Sequence, residues 1–245
     1  MTPLYDTIGV DYANLRKPDA RIAAQIDAAL GNARSVVNVG AGAGSYEPLG
    51  RDVTAVEPSA EMIAQRGDGA APAIQGTAEN LPFDDDSVDA AMAVLTVHHW
   101  TDQARGLQEM RRVARERVVI LTYDPAFRGA WQTDYWPQLV TIDEEQMPSM
   151  DFYAEHLGEV EIAPVPIPHD CSDGFLYAYW RRPAAYCDPR IRKGSSSFWR
   201  MNGVEQGVER LKADLESGAW ARENAKLSDL DSLDLGYRLV VAKSS

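Results

Sequence analysis

Ser35-Val36-Val37-Asn38-Val39-Gly40-Ala41-Gly42-Ala43-Gly44-Ser45 is an apolar run that breaks into a turn carrying three glycines. The run reads as a buried strand, and the turn as backbone that can approach a ligand closely, since glycine has no Cβ and accepts positive φ. Downstream, Val53-Thr54-Ala55-Val56-Glu57 is a second short apolar run that ends on one acid. A carboxylate at the tip of that next strand is placed to accept hydrogen bonds from both hydroxyls of a ribose.

The two segments together predict a nucleoside-bearing ligand across the carboxyl ends of two parallel strands. Gly40, Gly42 and Gly44 are spaced G-x-G-x-G, whereas a dinucleotide fingerprint is G-x-G-x-x-G, and its third glycine position is Ser45 here. Glu47 follows, so a helix starting there would carry an acid at its N-terminus and repel a pyrophosphate. The spacing therefore points to a ligand without phosphates, such as S-adenosylmethionine. A glycine-rich turn that binds nothing is the plain alternative for this segment alone.

A third segment is more specific. Gly76-Thr77-Ala78-Glu79-Asn80-Leu81-Pro82-Phe83-Asp84-Asp85-Asp86-Ser87-Val88-Asp89 resembles the G-x-A-E-x-L-P-F-x-D-x-S-F-D stretch of class I S-adenosylmethionine-dependent methyltransferases. The nearest subgroup is the ubiquinone/menaquinone-biosynthesis-like small-molecule methyltransferases. The glycine turn, Glu57-Pro58-Ser59 and His98-His99-Trp100 fit the same pattern, and the likeness runs from about Tyr5 to Tyr123. It implies S-adenosyl-L-methionine as cofactor, S-adenosyl-L-homocysteine as product, and methyl transfer to an O, N or C atom of a small molecule.

The site follows residue by residue. Gly40, Ala41, Gly42 and Gly44 are expected beside the amino-acid part and ribose of the cofactor, and Glu57, with Pro58 and Met62 after it, at the ribose. Asn38 stands where the family usually has an acid that helps to bind the cofactor's ammonium, and an amide oxygen can still accept there. Thr77, Ala78 and Glu79 match the adenine edge, with a backbone N–H to the ring and a carboxylate to its amino group. Val94 and Leu95 close the fourth strand beside the methionine chain or the adenine. In the leading segment, Arg16 is expected to grip the cofactor carboxylate with two parallel hydrogen bonds, and Tyr5 or Tyr12 to point a hydroxyl at the reacting centre. His98 is a candidate base for an acceptor that arrives protonated, with a structural loop role as the alternative. His169-Asp170 is a second candidate proton-transfer pair.

Alternating apolar runs and helical patterns predict an α/β fold: a Rossmann-like, doubly wound, seven-stranded, mostly parallel sheet with helices on both faces. Pro18 to Leu30 reads as an amphipathic helix with Ile22, Ile26 and Leu30 on one face and Gly31 as its stop. Strands are expected at Ser35–Val39, Val53–Val56, about Ala73–Gln75, Val88–Val94 and Val118–Thr122. A short helix is expected after the first, one from Ser59, and one capped by Thr101 or Asp102. Val160–Val165 and Gly236–Ala242 complete the sheet, the last antiparallel by the resemblance. The chain reads as a single domain: 1–34 a helical cover, 35–123 the cofactor-binding core, 124–158 and 168–234 substrate or lid insertions, and 235–245 the final strand. The insertion before that strand is expected to be mostly helical, with Val204 to Trp220 as one helix. Its aromatic residues either roof the substrate, glue the add-on to the sheet, or form a dimer surface.

Composition narrows the partners. The 245 residues carry a formal net charge of −13, which repels phosphate backbones, so no nucleic acid is expected as substrate. Two cysteines, Cys171 and Cys187, make neither a disulfide framework nor a metal motif, and no metal is expected. The start of the chain has no signal pattern and no apolar run is long enough to span a membrane. A cytoplasmic enzyme is expected, its oligomeric state unspecified. An S-adenosylmethionine-binding module without turnover, or an NAD(P)-dependent oxidoreductase, are the rival readings.

Overall fold

The computed structural model describes residues 16–243. Helix α1 (Ala20–Leu30) starts where the Asp19 carboxylate accepts the Arg21 N–H and stops at Gly31, whose φ is 56°. Its buried residues are Ile22, Ile26 and Leu30, the stripe that the i, i+4, i+8 spacing predicts. The sheet strands are β1 (Ser35–Val39), β2 (Asp52–Glu57), β3 (Ala73–Gln75), β4 (Val88–Val94), β5 (Ala114–Tyr123), β6 (Val160–Pro164) and β9 (Tyr237–Lys243). Their order is β3-β2-β1-β4-β5-β9-β6. The pairings from β3 to β5 are parallel, and β9 runs antiparallel to both β5 and β6. This is the Rossmann-like, seven-stranded fold that the sequence predicts, with its last strand reversed.

The chain order reverses between β1 and β4, so the loops after these two strands diverge and leave a crevice at their carboxyl ends. The Asp102 carboxylate caps helix α3 (Gln103–Val113) by accepting the Arg105 N–H, and α3 runs straight into β5. Helix α2 (Ala60–Ala64) is a single turn capped by Ser59.

Three local expectations are corrected. No helix follows β1: Gly40, Gly42 and Gly44 have φ of 67°, 54° and 96°, and Tyr46 has 62°. Residues in the left-handed region cannot propagate a right-handed helix. Strand β5 begins at Ala114 rather than Val118. The stretch read as one helix from Val204 to Trp220 divides at Gly218 (φ 72°) into α9 (Val204–Ser217) and α10 (Ala219–Glu223).

The segment between β6 and β9 is largely short helices: α7 (Pro189–Arg192), α8 (Ser196–Arg200), α9 and α10. A two-stranded ribbon, β7 (Ile167–Pro168) with β8 (Ser232–Leu233), closes its base. Its aromatic residues are packing material. Tyr177, Trp180 and Tyr186 are each at most 1% exposed. Tyr186 and Phe198 meet Trp136 edge-on or tilted, with ring centroids 5.9 and 5.2 Å apart. Two buried indole N–H groups here find carbonyls: Trp131 donates to Trp180 O at 2.8 Å and Trp136 to Val204 O at 3.0 Å. Gly207 admits the Trp136 ring to α9, since a Cβ there would lie 2.2 Å from Nε1. These aromatic contacts glue the add-on to the sheet.

Candidate active site

The crevice at the carboxyl ends of β1, β2 and β4 holds a cleft of about 540 Å³, within the range of cofactor sites. Its floor is the glycine turn. Gly40 N and Ala41 N both donate to Val56 O, at 2.8 and 3.1 Å, which ties the turn to β2. A Cβ on Gly40 would sit 2.2 Å from Thr96 Oγ1, so only glycine fits between this turn and the end of β4.

Glu57 is 5% exposed at the tip of β2. Its Oε2 accepts the Gly42 N–H at 2.8 Å and its Oε1 the Ser59 N–H at 2.9 Å. Two backbone donors fix the carboxylate at the cleft wall. Opposite, Ala78 is buried and Glu79 half-buried. Glu79 Oε1 accepts the N–H groups of Thr101 and Asp102, at 2.8 and 3.1 Å, and its Oε2 accepts none among the described residues.

Of the residues singled out in the sequence, Arg16, Asn38, Gly40, Ala41, Gly42, Glu57, Pro58, Met62, Thr77, Ala78, Glu79, Val94, Leu95 and His98 all line this one cleft. Gly44 does not: its positive φ serves the turn, and a Cβ there would press on Ala70 and Glu47. Tyr5 and Tyr12 lie outside the described residues. His169 and Asp170 are away from the cleft, and Asp170 pairs with Arg21 at 2.7 Å.

Arg16 departs from expectation. Its Nε and Nη2 reach Asp173 Oδ1 and Oδ2, at 2.6 and 3.3 Å. The paired hydrogen bonds foreseen for a ligand carboxylate thus go to a buried side chain of the add-on. The Tyr46 hydroxyl donates to the same Asp173 at 2.9 Å. Glu47 departs as well. It heads no helix, and its carboxylate is neutralised by Arg66 at 2.6 Å and accepts the Ala71 N–H at 2.8 Å. The repulsion argued against a pyrophosphate therefore has no basis in the structure. Glu47 also accepts from Asn38 Nδ2 at 3.3 Å, which explains the amide: an acid at position 38 would face an acid.

His98 and His99 sit on a 3-10 turn, Val97–His99, directly after β4, with ring centroids 3.9 Å apart. Burial holds the His98 imidazole well below its ordinary value, with His99, Arg16 and Arg200 adding to the effect. Burial, then Arg200 and Arg16, bring His99 down to about 4. Both rings are neutral at physiological pH. Thr96, Trp100, Thr101, Tyr46 and Arg200 also line the cleft and were not foreseen. Arg200 comes from α8, about 100 residues beyond the histidines, and nothing in the local sequence marks it.

A methyltransferase-domain family model matches residues 37–122. A solved putative methyltransferase from an antibiotic biosynthesis pathway of Anabaena variabilis shares 35% identity with this chain. The match covers 94% of this chain and 99% of that one, with a TM-score of 0.86. The chain belongs to the class I S-adenosylmethionine-dependent methyltransferases. An uncharacterized methyltransferase of Mycobacterium tuberculosis, Rv3342, is 42% identical over 89 residues, 34% of this chain and 36% of that protein. A demethylmenaquinone methyltransferase of Mycolicibacterium gilvum is 31% identical over 112 residues, 45% and 46% of the two chains. These matches to curated relatives span less than half the relatives' length, so the quinone-like subgroup has only a partial likeness behind it. No group of three His, Cys, Asp or Glu residues is placed to hold a metal, and no helix is long and apolar enough to cross a membrane, among the described residues.

Proposed function

We propose that this methyltransferase moves the methyl group of S-adenosylmethionine to an O, N or C atom of a small-molecule acceptor by in-line displacement. The carrying observation is Glu57, a carboxylate locked by two backbone N–H groups at the mouth of a glycine turn, in a cleft of cofactor size. The cleft fits a nucleoside: a carboxylate for two ribose hydroxyls on one wall, and Ala78 with Glu79 for the adenine edge on the other. S-adenosylmethionine, when bound, supplies a sulfonium methyl that is already a strong electrophile.

The protein's work is then mostly positioning, and holding two reactants in line is worth roughly 7–11 kcal/mol of barrier. Met62, Val94 and Leu95 give the cleft its apolar walls. Ala78 N–H and Glu79 Oε2 orient the base. His98, neutral and at the cleft wall, takes the proton of an acceptor that arrives with one. With a net charge of −13, nucleic acid is an unfavourable acceptor. The quinone-like subgroup, the lid role of residues 124–158 and 168–234, and a cytoplasmic location belong to this reading.

Calorimetric titration with S-adenosylmethionine, S-adenosylhomocysteine and NAD(P)H tests it. Micromolar binding of the first two alone is the expected result. Binding of the nicotinamide cofactor instead, or of none of them, overturns it. Cofactor binding without turnover on a broad set of small amines, phenols and carbon acids would leave a binding module.

A further inference from the structure

Behind His98 and His99 lies a second cavity of about 60 Å³. It shares Arg16, Leu95, His98 and His99 with the main cleft, so the two spaces meet at one wall. Its far side is made by Tyr123, Phe175, Tyr177, Tyr237 and Asp143. Asp143 lies in helix α5 (Gln138–Gln146) and is 3% exposed. Its Oδ2 accepts the Tyr177 hydroxyl at 3.0 Å, and its Oδ1 accepts no hydrogen bond among the described residues.

The charges around this carboxylate do not cancel it. Arg128 is the cation that most affects it, yet its guanidinium is bonded to Glu144 and to the carbonyls of Pro125 and Phe127. Arg16 pairs with Asp173, and the two imidazoles are neutral. Burial pushes the Asp143 carboxyl up to about 7, the behaviour of an acid set among rings without a bonded cation. A carboxylate framed by aromatic rings is the arrangement that favours a cation, through both charge and ring quadrupoles. It has about a ninth of the volume of the main cleft, so it suits one small group of an acceptor.

We propose that the acceptor carries an amino group that docks as an ammonium against Asp143 in this small cavity, with the atom to be methylated held on the cleft side of His98 and His99. The assignment rests on the methyltransferase reading of the main cleft. It makes Asp143 a specificity-determining residue that selects small amines over isosteric alcohols and acids, while His98 and Leu95 separate anchor from reaction.

The test is calorimetry on protein saturated with S-adenosylhomocysteine, titrated with matched amine–alcohol pairs such as 2-phenylethylamine and 2-phenylethanol. The amine is expected to bind about tenfold or more tightly than its alcohol, the scale of one buried charge-assisted contact. Asp143→Asn is expected to bring the pair within about threefold while leaving S-adenosylhomocysteine affinity unchanged, which also reports that the variant is folded. Equal binding of the pairs by the unaltered protein, or binding of neither member, overturns the amine assignment and needs no variant. Failure of S-adenosylhomocysteine itself to bind overturns the cofactor reading instead.

Discussion

Glu57→Gln separates the structural from the ligand role of the strand-tip acid. Both carboxylate oxygens accept a backbone N–H, from Gly42 at 2.8 Å and Ser59 at 2.9 Å. An amide offers one oxygen and one NH₂, so one of those two N–H groups must face a donor. Leaving a buried donor unpaired costs about 1–3 kcal/mol. For a chain of this size each kcal/mol lowers Tm by about 2–4 °C, so the ligand-free protein is expected to melt about 2–12 °C lower. The second loss is charge toward the ribose. Charge-assisted hydrogen bonds are about twice as strong as neutral ones, and forgoing about 1–2 kcal/mol weakens S-adenosylhomocysteine binding by about 5–30-fold. Scanning fluorimetry of the free protein reads the first effect and calorimetric titration the second. A lowered Tm with unchanged affinity would refute the ribose assignment and leave Glu57 as a brace of the glycine turn.

Asn38→Asp places a carboxylate beside Glu47 and is expected to lower Tm, with Glu47→Gln in the same chain recovering most of the loss; thermal melts of the two single variants and the double variant check this. Asp143→Asn is expected to raise stability at pH 8 and change it little near pH 4. Folding raises that carboxyl to about 7, so its favourable contribution is complete below its unfolded value and lost as pH rises through 7. A melting-temperature difference that is the same at both pH values would contradict it. The two histidines have the opposite sign. Both folded values lie below the ordinary one, that of His99 at about 4, so stability they lend near neutrality is lost as pH falls below about 6.5. Imidazoles that stay neutral between pH 6 and 8 also imply a methyl-transfer rate whose pH profile has no His98 inflection there, and His98→Gln is expected to lower the rate by the same factor at both pH values. A pH–rate profile whose shape changes with His98→Gln would count against the assignment.

The sheet was largely legible because its strands are short apolar runs such as Ser35–Val39 and Val88–Val94, bounded by polar turns and separated by helices with one apolar stripe. The cleft was legible to the extent that it is local. Gly40, Gly42, Glu57, Ala78 and Glu79 each lie within a few residues of a strand end, so strand order alone gathers them. What was not legible depends on residues far apart in the chain. Asp173 meets Arg16 across 157 positions, and Arg200 joins the cleft from a short helix with no distinguishing pattern. Asp143 reads as a solvated helix acid, since it opens the polar run Asp143-Glu144-Glu145-Gln146. Packing against residues far from it in the chain, Tyr177 among them, buries it. The absent helix after β1 was misread because Tyr46 adds a fourth positive φ to the three glycines, and a tyrosine gives no sequence sign of that conformation.

The position of β9 has a consequence for biosynthesis. It is the last strand in the chain and yet it lies between β5 and β6, making every backbone bond that joins β6 to the sheet. Roughly 70 residues separate the end of β6 from the start of β9, which at about 5–20 residues per second is roughly 4–14 s of translation. Through that interval the outer edge of β5 and both edges of β6 emerge from the ribosome unpaired. Open strand edges invite pairing with other chains. The nascent protein therefore has a vulnerable window that closes only when its final strand arrives, and trigger-factor-like protection of a stalled chain ending before Tyr237 is where that window becomes visible.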